Sequence, residues 1–114
     1  MQVRIEVPPS SRTRVFHSSL PLSAHHQSWA FGVPLPARYE ECYFRKAELI
    51  GPTGERLVQV LCSEPGVSDV ILHPDSVTVI LRENTNLAWD QVQPYVTAAF
   101  HLAFPNESIE LLTG

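Results

Sequence analysis

A chain of 114 residues, 44% hydrophobic and 18% charged, is one domain. It is large enough to bury roughly two-thirds of its unfolded surface without disulfides or a structural metal. A net charge of −4 and a pI near 5.6 supply no global field for phosphate backbones or anionic lipid. The basic residues Arg4, Arg12 and Arg14 read as a solvated face, so no nucleic-acid partner is expected. No apolar run approaches the ~18 residues that span a bilayer, and MQVRIEV lacks the apolar stretch of a signal peptide. Cytoplasmic residence without membrane partners is the expectation.

Val3, Ile5 and Val7 alternate with Arg4 and Glu6, the period-2 pattern of a half-buried strand. Pro8-Pro9-Ser10-Ser11 ends it, and Arg12 to His17 alternates again with Thr13 and Val15 on one side, which predicts an N-terminal hairpin. Residues 18–53 are proline-rich and open as a loop, with Trp29 to Val33 as a candidate short strand. From Ala37 to Ile50, the residues Tyr39, Cys42, Tyr43, Lys46, Leu49 and Ile50 fall at helical spacing, with Lys46 as the polar exception. Glu41 and Arg45 form an i,i+4 pair, Pro36 suits the start, and Gly51-Pro52 suits the stop. Thr53 is placed to N-cap a second helix over 54–63, with Leu57, Val58, Val60 and Leu61 as its apolar face.

Pro65-Gly66 breaks that helix. Val67–Leu72 and Val77–Leu81 read as strands joined by His73-Pro74-Asp75-Ser76, a type I turn. In the second strand Val77, Val79 and Leu81 share one face. A last helix runs over 87–104, its stripe made by Trp89, Val92, Val96, Ala99 and Ala103 and widened by Tyr95 and Phe100. Pro94 should bend its first turns. Trp89 is expected to pack with Val70 and Val79, and Ser108 to Leu112 adds a final strand. The order ββαββαβ, with an extra helix or loop in 18–53, predicts an α+β two-layer sandwich: a mainly antiparallel sheet with helices on one face.

These residues resemble the N-terminal domain of Nfu-type iron–sulfur scaffold proteins. That family's L-x-Q-x-L matches Leu57, Gln59 and Leu61, and its glycine-valine step matches Gly66 and Val67 after Pro65. The hairpin motif matches at Val70, Asp75, Thr78 and Val79, and the W-x-x-L-K-P motif at Trp89, Val92 and Pro94. The match runs without a break in spacing from Leu57 to Val96. The chain departs from the family at its opening T-P-N-P-like step, where Pro9 and Phe16 match but the asparagine is lost. It departs again in a longer 18–53 segment and in lacking any C-x-x-C. What the resemblance implies is a single domain over 1–114 that is non-enzymatic: an accessory or protein-interaction module tied to iron–sulfur cluster assembly. Iron or an iron–sulfur cluster would attach to it only by family association, its partner being a protein such as an assembly component.

Few residues stand out as chemistry. Cys42 and Cys62 with His25 and His26 could supply metal ligands, the basis of the alternative reading, a small metal-binding or metallochaperone-like module. The PGVSDV strand is loosely similar to heavy-metal-associated domains, which carry a C-x-x-C absent here. Adjacent histidines on an extended segment should point to opposite sides, so no metal site is expected. His73 in the hairpin turn beside Asp75 could form an acid–base pair, but a turn histidine is more often solvated and no nucleophile is placed beside it, so no catalytic residue is expected. Trp29, Phe31, Tyr39 and Tyr43 are the candidate interaction residues, because aromatic side chains anchor interfaces; the competing reading is that they cover the sheet.

Overall fold

The computed structural model describes residues 1–36 and 40–113. Six strands, β1 (Gln2–Glu6), β2 (Thr13–Ser18), β3 (Trp29–Gly32), β4 (Val67–Leu72), β5 (Ser76–Leu81) and β6 (Glu110–Thr113), form one sheet in the order β3-β4-β5-β2-β1-β6. All neighbours are antiparallel except β1 and β6, which run parallel. Two helices, α1 (Glu41–Leu61) and α2 (Trp89–Ala103), pack on each other and on one face of the sheet. The α+β two-layer sandwich read from the sequence is the observed fold. Among the described residues, no helix is long and apolar enough to cross a membrane.

Strand alternation decides what is buried. The cross-strand row Trp29–Leu72–Val77–Phe16–Ile5 spans five strands on the helix side. Leu72, Val77 and Phe16 in it are fully buried. The helices supply the facing stripes: Tyr43, Ala47, Ile50, Leu57, Val58 and Leu61 from α1, and Val92, Val96, Ala99, Phe100 and Ala103 from α2.

The helical stretch departs from its expected phase. Tyr43, Ala47 and Ile50 are buried, while Cys42 and Leu49 are exposed, because an i,i+4,i+7 stripe meets β3 and β4 best along that line. Lys46 belongs on this face for a polar reason: its Nζ donates to the Ala30 carbonyl at 2.8 Å and lies 5.1 Å from the Phe31 ring centre. The start expected near Ala37 falls on residues outside those described. Gly51 (φ 85°, ψ 173°) splits α1 into two helical segments, a left-handed position that suits glycine. Pro52, not Thr53, therefore opens the second segment, where its missing N–H costs nothing. The Ile50 carbonyl left free at the break accepts from the Ala24 N–H at 2.9 Å.

Helix α2 starts at Trp89 and runs through Pro94 as one helix. Gln91 Oε1 accepts from the Ala88 N–H at 3.0 Å, closing one of the helix's free donors. Tyr95, expected on the apolar face, is 42% exposed. Trp89 is half-buried: its ring meets Phe16 at 6.5 Å, the Arg14 guanidinium lies 5.1 Å above it, and Nε1 donates to the Ser11 carbonyl at 2.9 Å. Trp89 thus packs on the core from the β2 side, through Phe16 and Arg14; the packing on Val70 and Val79 expected from the sequence is not among these contacts.

The second segment of α1 comes closest to its surroundings at Gly54. A Cβ there would lie 2.8 Å from both the Leu22 carbonyl oxygen and Leu72 Cδ2. Gly54→Ala should therefore cost ~1–3 kcal/mol through forced displacement of backbone, lowering the melting temperature by roughly 4–8 °C for each kcal/mol. Gly32→Ala, whose Cβ enters open space, is the control. Equal melting of the two variants would show that α1 does not approach the Leu22 loop this closely.

Candidate functional site

Of the four aromatic candidates, Phe31 and Tyr43 are 3% exposed and meet edge to face at 6.2 Å between β3 and α1. They are core residues that cover the sheet, and neither is open to a partner. The sequence could not separate these roles, because the same rings serve a core or an interface. Trp29 is half-buried beside His25, at 5.5 Å between ring centres, and its indole N–H is buried without an acceptor among the described residues. Tyr39 lies outside the described residues.

The cysteines and histidines do not assemble. Cys42 is exposed and Cys62 buried. Among the described residues, no three histidine, cysteine or acidic side chains are grouped so as to hold a metal ion. His25 and His26 do not point apart as expected. Their rings stack at 4.6 Å, and His25 Nδ1 accepts from the Gln27 N–H at 3.2 Å, so the segment turns where an extended chain was assumed. Burial, reinforced by the Asp69 carboxylate, pushes the Cys62 thiol up from its ordinary value of 9.0 to about 12. It behaves as a small apolar residue.

His73 gains a neighbour that sequence distance concealed. Ser28 Oγ lies 2.6 Å from its Nδ1, and Thr78 Oγ1 lies 3.1 Å from its Nε2. A serine beside an imidazole is half of a nucleophilic pair. The other ring nitrogen meets a hydroxyl here, whereas a carboxylate would hold and stabilise an imidazolium. The arrangement ties the loop before β3 to the β4–β5 hairpin.

Two concavities flank the sandwich. One, of about 710 Å³, is lined by Arg12, Glu64, Gly66, Arg82, Thr85 and Leu87 among others. Arg82 forms its wall by donating from Nε to the Pro65 carbonyl and from a terminal nitrogen to the Val33 carbonyl, both at 2.7 Å. Two of its donors thus join two loops. The other, of about 560 Å³, runs between α2 and β6 along Asp90, Pro94, Thr97, Ala98, His101 and Leu111.

The face of the sheet away from the helices is a further surface. Its central row, Glu6–Val15–Thr78–Ile71–Ala30, crosses five strands, and Thr13 and Ile80 pair beside it. Val15, Ile71 and Ile80 are half-buried by their neighbours alone. His17 and Glu6, bonded at 2.7 Å, stand at the rim. Antiparallel sheets with one free face usually turn polar side chains to it; this one sets three branched aliphatic residues at its centre. The period-2 pattern held that signal, because Thr13, Val15, Ile71 and Ile80 occupy the alternate positions.

No family model matches the chain, and no curated protein matches it. Among solved structures it is similar to protein SAV1430 from Staphylococcus aureus, with a TM-score of 0.59 and 18% sequence identity. The match covers 88% of this chain and 99% of that one. At that identity the likeness shows the fold alone.

The thiols give a direct test of the burial pattern. An alkylating reagent at pH 8 should modify Cys42 in the folded protein and reach Cys62 only after denaturation. The raised Cys62 value also has a sign: the folded state holds the proton more tightly, so its stabilising effect is full below pH 9.0 and is lost as pH climbs toward about 12. Melting temperature should fall over that window less steeply in Cys62→Val than in the parent. Rapid double labelling of native protein would contradict the placement of Cys62.

Proposed function

We propose that this chain is a non-enzymatic accessory domain, similar to the N-terminal domain of Nfu-type scaffold proteins, that serves iron–sulfur cluster assembly by binding a protein partner. The observation that carries the reading is the helix-free sheet face, where the half-buried Val15, Ile71 and Ile80 stand at the centre of a polar rim. Interfaces are commonly built on this plan, an apolar centre that loses water and a polar rim that stays wet. The resemblance supports the iron–sulfur connection. Its apolar positions Leu57, Leu61, Val67, Val70, Val79 and Val92 are all core residues in this fold, as a shared scaffold would require, which supports the reading. The reading assigns no cluster to this chain. The cluster belongs to the partner, and this domain's part is to bind and orient it.

Ile71→Lys places a charge at the centre of the proposed surface without entering the helix-side core. The variant should melt within a few degrees of the parent, because surface substitutions of this kind change stability little. It should also fail to recover iron–sulfur assembly proteins that the parent captures from its native host. Deleting the gene should lower the activity of iron–sulfur enzymes in that host, and the Ile71→Lys form should not restore it. Full enzyme activity in the deletion strain would remove the iron–sulfur connection, and undiminished capture by the variant would remove the sheet face.

A further inference from the structure

The two edges of the sheet are treated differently, and the difference marks a binding site. At the β3 edge, the Val33 N–H donates to the Ser68 carbonyl at 3.0 Å. By alternation the main-chain groups of Phe31 and Trp29 face β4, and those of Ala30 and Gly32 face outward. The outward Ala30 carbonyl is taken by Lys46 Nζ at 2.8 Å. A lysine held across a strand edge is a common guard against further pairing.

Among the described residues, no side chain bonds to the outward main-chain groups of β6 as Lys46 does at β3. The Glu110 N–H donates to the Met1 carbonyl at 3.0 Å, so Glu110 and Leu112 turn their main-chain groups toward β1. Those of Leu111 and Thr113 turn away from the sheet. Directly beside this edge lies the groove of about 560 Å³, with Pro94, Thr97 and Ala98 of α2 on one side and Leu111 on the other. Leu111 pairs with Val3 and so projects to the helix side of the sheet. A strand laid against β6 would bond to Leu111 and Thr113 and place its alternate side chains under α2, in the groove.

We propose that the β6 edge and the α2 groove together bind an extended peptide segment of a partner protein, added to the sheet as a seventh strand, with apolar residues alternating with basic ones. The outward main-chain groups call for an extended chain. The groove takes apolar side chains on one face of that strand. Charge selects the rest: Glu110 projects from β6 toward the opposite face, where the alternate side chains of the added strand would meet it, on a chain of net charge −4. This site is separate from the helix-free face and stands or falls without the iron–sulfur reading.

The test uses a short blocked synthetic peptide of alternating valine and lysine, with amide exchange read residue by residue by NMR. Binding should slow exchange at Leu111 and Thr113 and leave Ala30 and Gly32 unchanged. Thr113→Pro, which removes one outward donor, and Ala98→Arg, which fills the groove with bulk and positive charge, should each weaken binding about tenfold while the melting temperature holds. A peptide of alternating valine and glutamate should bind at least about tenfold more weakly than the lysine peptide. The proposal is overturned by protection at β3 or by no protection at millimolar peptide. Equal binding of the two peptides overturns it as well. So does a dimer that protects Leu111 and Thr113 without any peptide, since the occupant would then be a second copy of the chain.

Discussion

The structure depends on one-sided burial of a six-stranded sheet. Side chains alternate along a strand, so a single register places Val3, Ile5, Phe16, Val70, Leu72, Val77, Val79 and Leu81 under the helices together. Each fully buried aliphatic or aromatic side chain contributes about 1.5–3 kcal/mol relative to exposure, and a one-residue slip in any central strand would turn its whole set to water. The same register leaves the other face with what the alternate positions carry. Helix placement, edge exposure and the open face all follow from that division.

Helix α1 meets this demand by breaking. A straight helix from Glu41 to Leu61 would be about 31 Å long at 1.5 Å per residue, close to the 34 Å long axis of the whole molecule. The turn at Gly51 redirects the chain, and the Ala24 N–H satisfies the Ile50 carbonyl exposed there. Gly54 then lets the second segment approach the Leu22 carbonyl and Leu72 at a distance that no side chain would allow. The proline-rich segment before β3 thus contributes to the core through Leu22, which is 1% exposed.

What remains outside the core is distributed unevenly. Arg82 and Lys46, two of the chain's eight Lys and Arg residues, each donate to loop or edge carbonyls. Ser28, His73 and Thr78 are similarly joined to one another. Surfaces whose polar groups are already paired have little left with which to recognise a partner. The helix-free face and the β6 edge differ in that respect: one offers aliphatic centre and polar rim, the other main-chain groups beside an apolar groove. Binding by area and by backbone pairing suits a domain that holds another protein in place.

The sequence alone determined the strands at both hairpins, the break at Gly51-Pro52, the core face of β5 and the two-layer α+β class, because each is written in local periodicity and in glycine or proline punctuation. Tertiary structure alone decided the roles of Lys46, Phe31 and Tyr43, the proximity of Ser28 to His73 and the difference between the two sheet edges. Those depend on which strands become neighbours: β3 joins β4 across the whole of α1, and β6 joins β1 from the opposite end of the chain. Residue spacing carries no record of such pairings. An aromatic run at helical spacing looks the same whether it faces solvent or a strand more than ten residues away, and only the strand order says which.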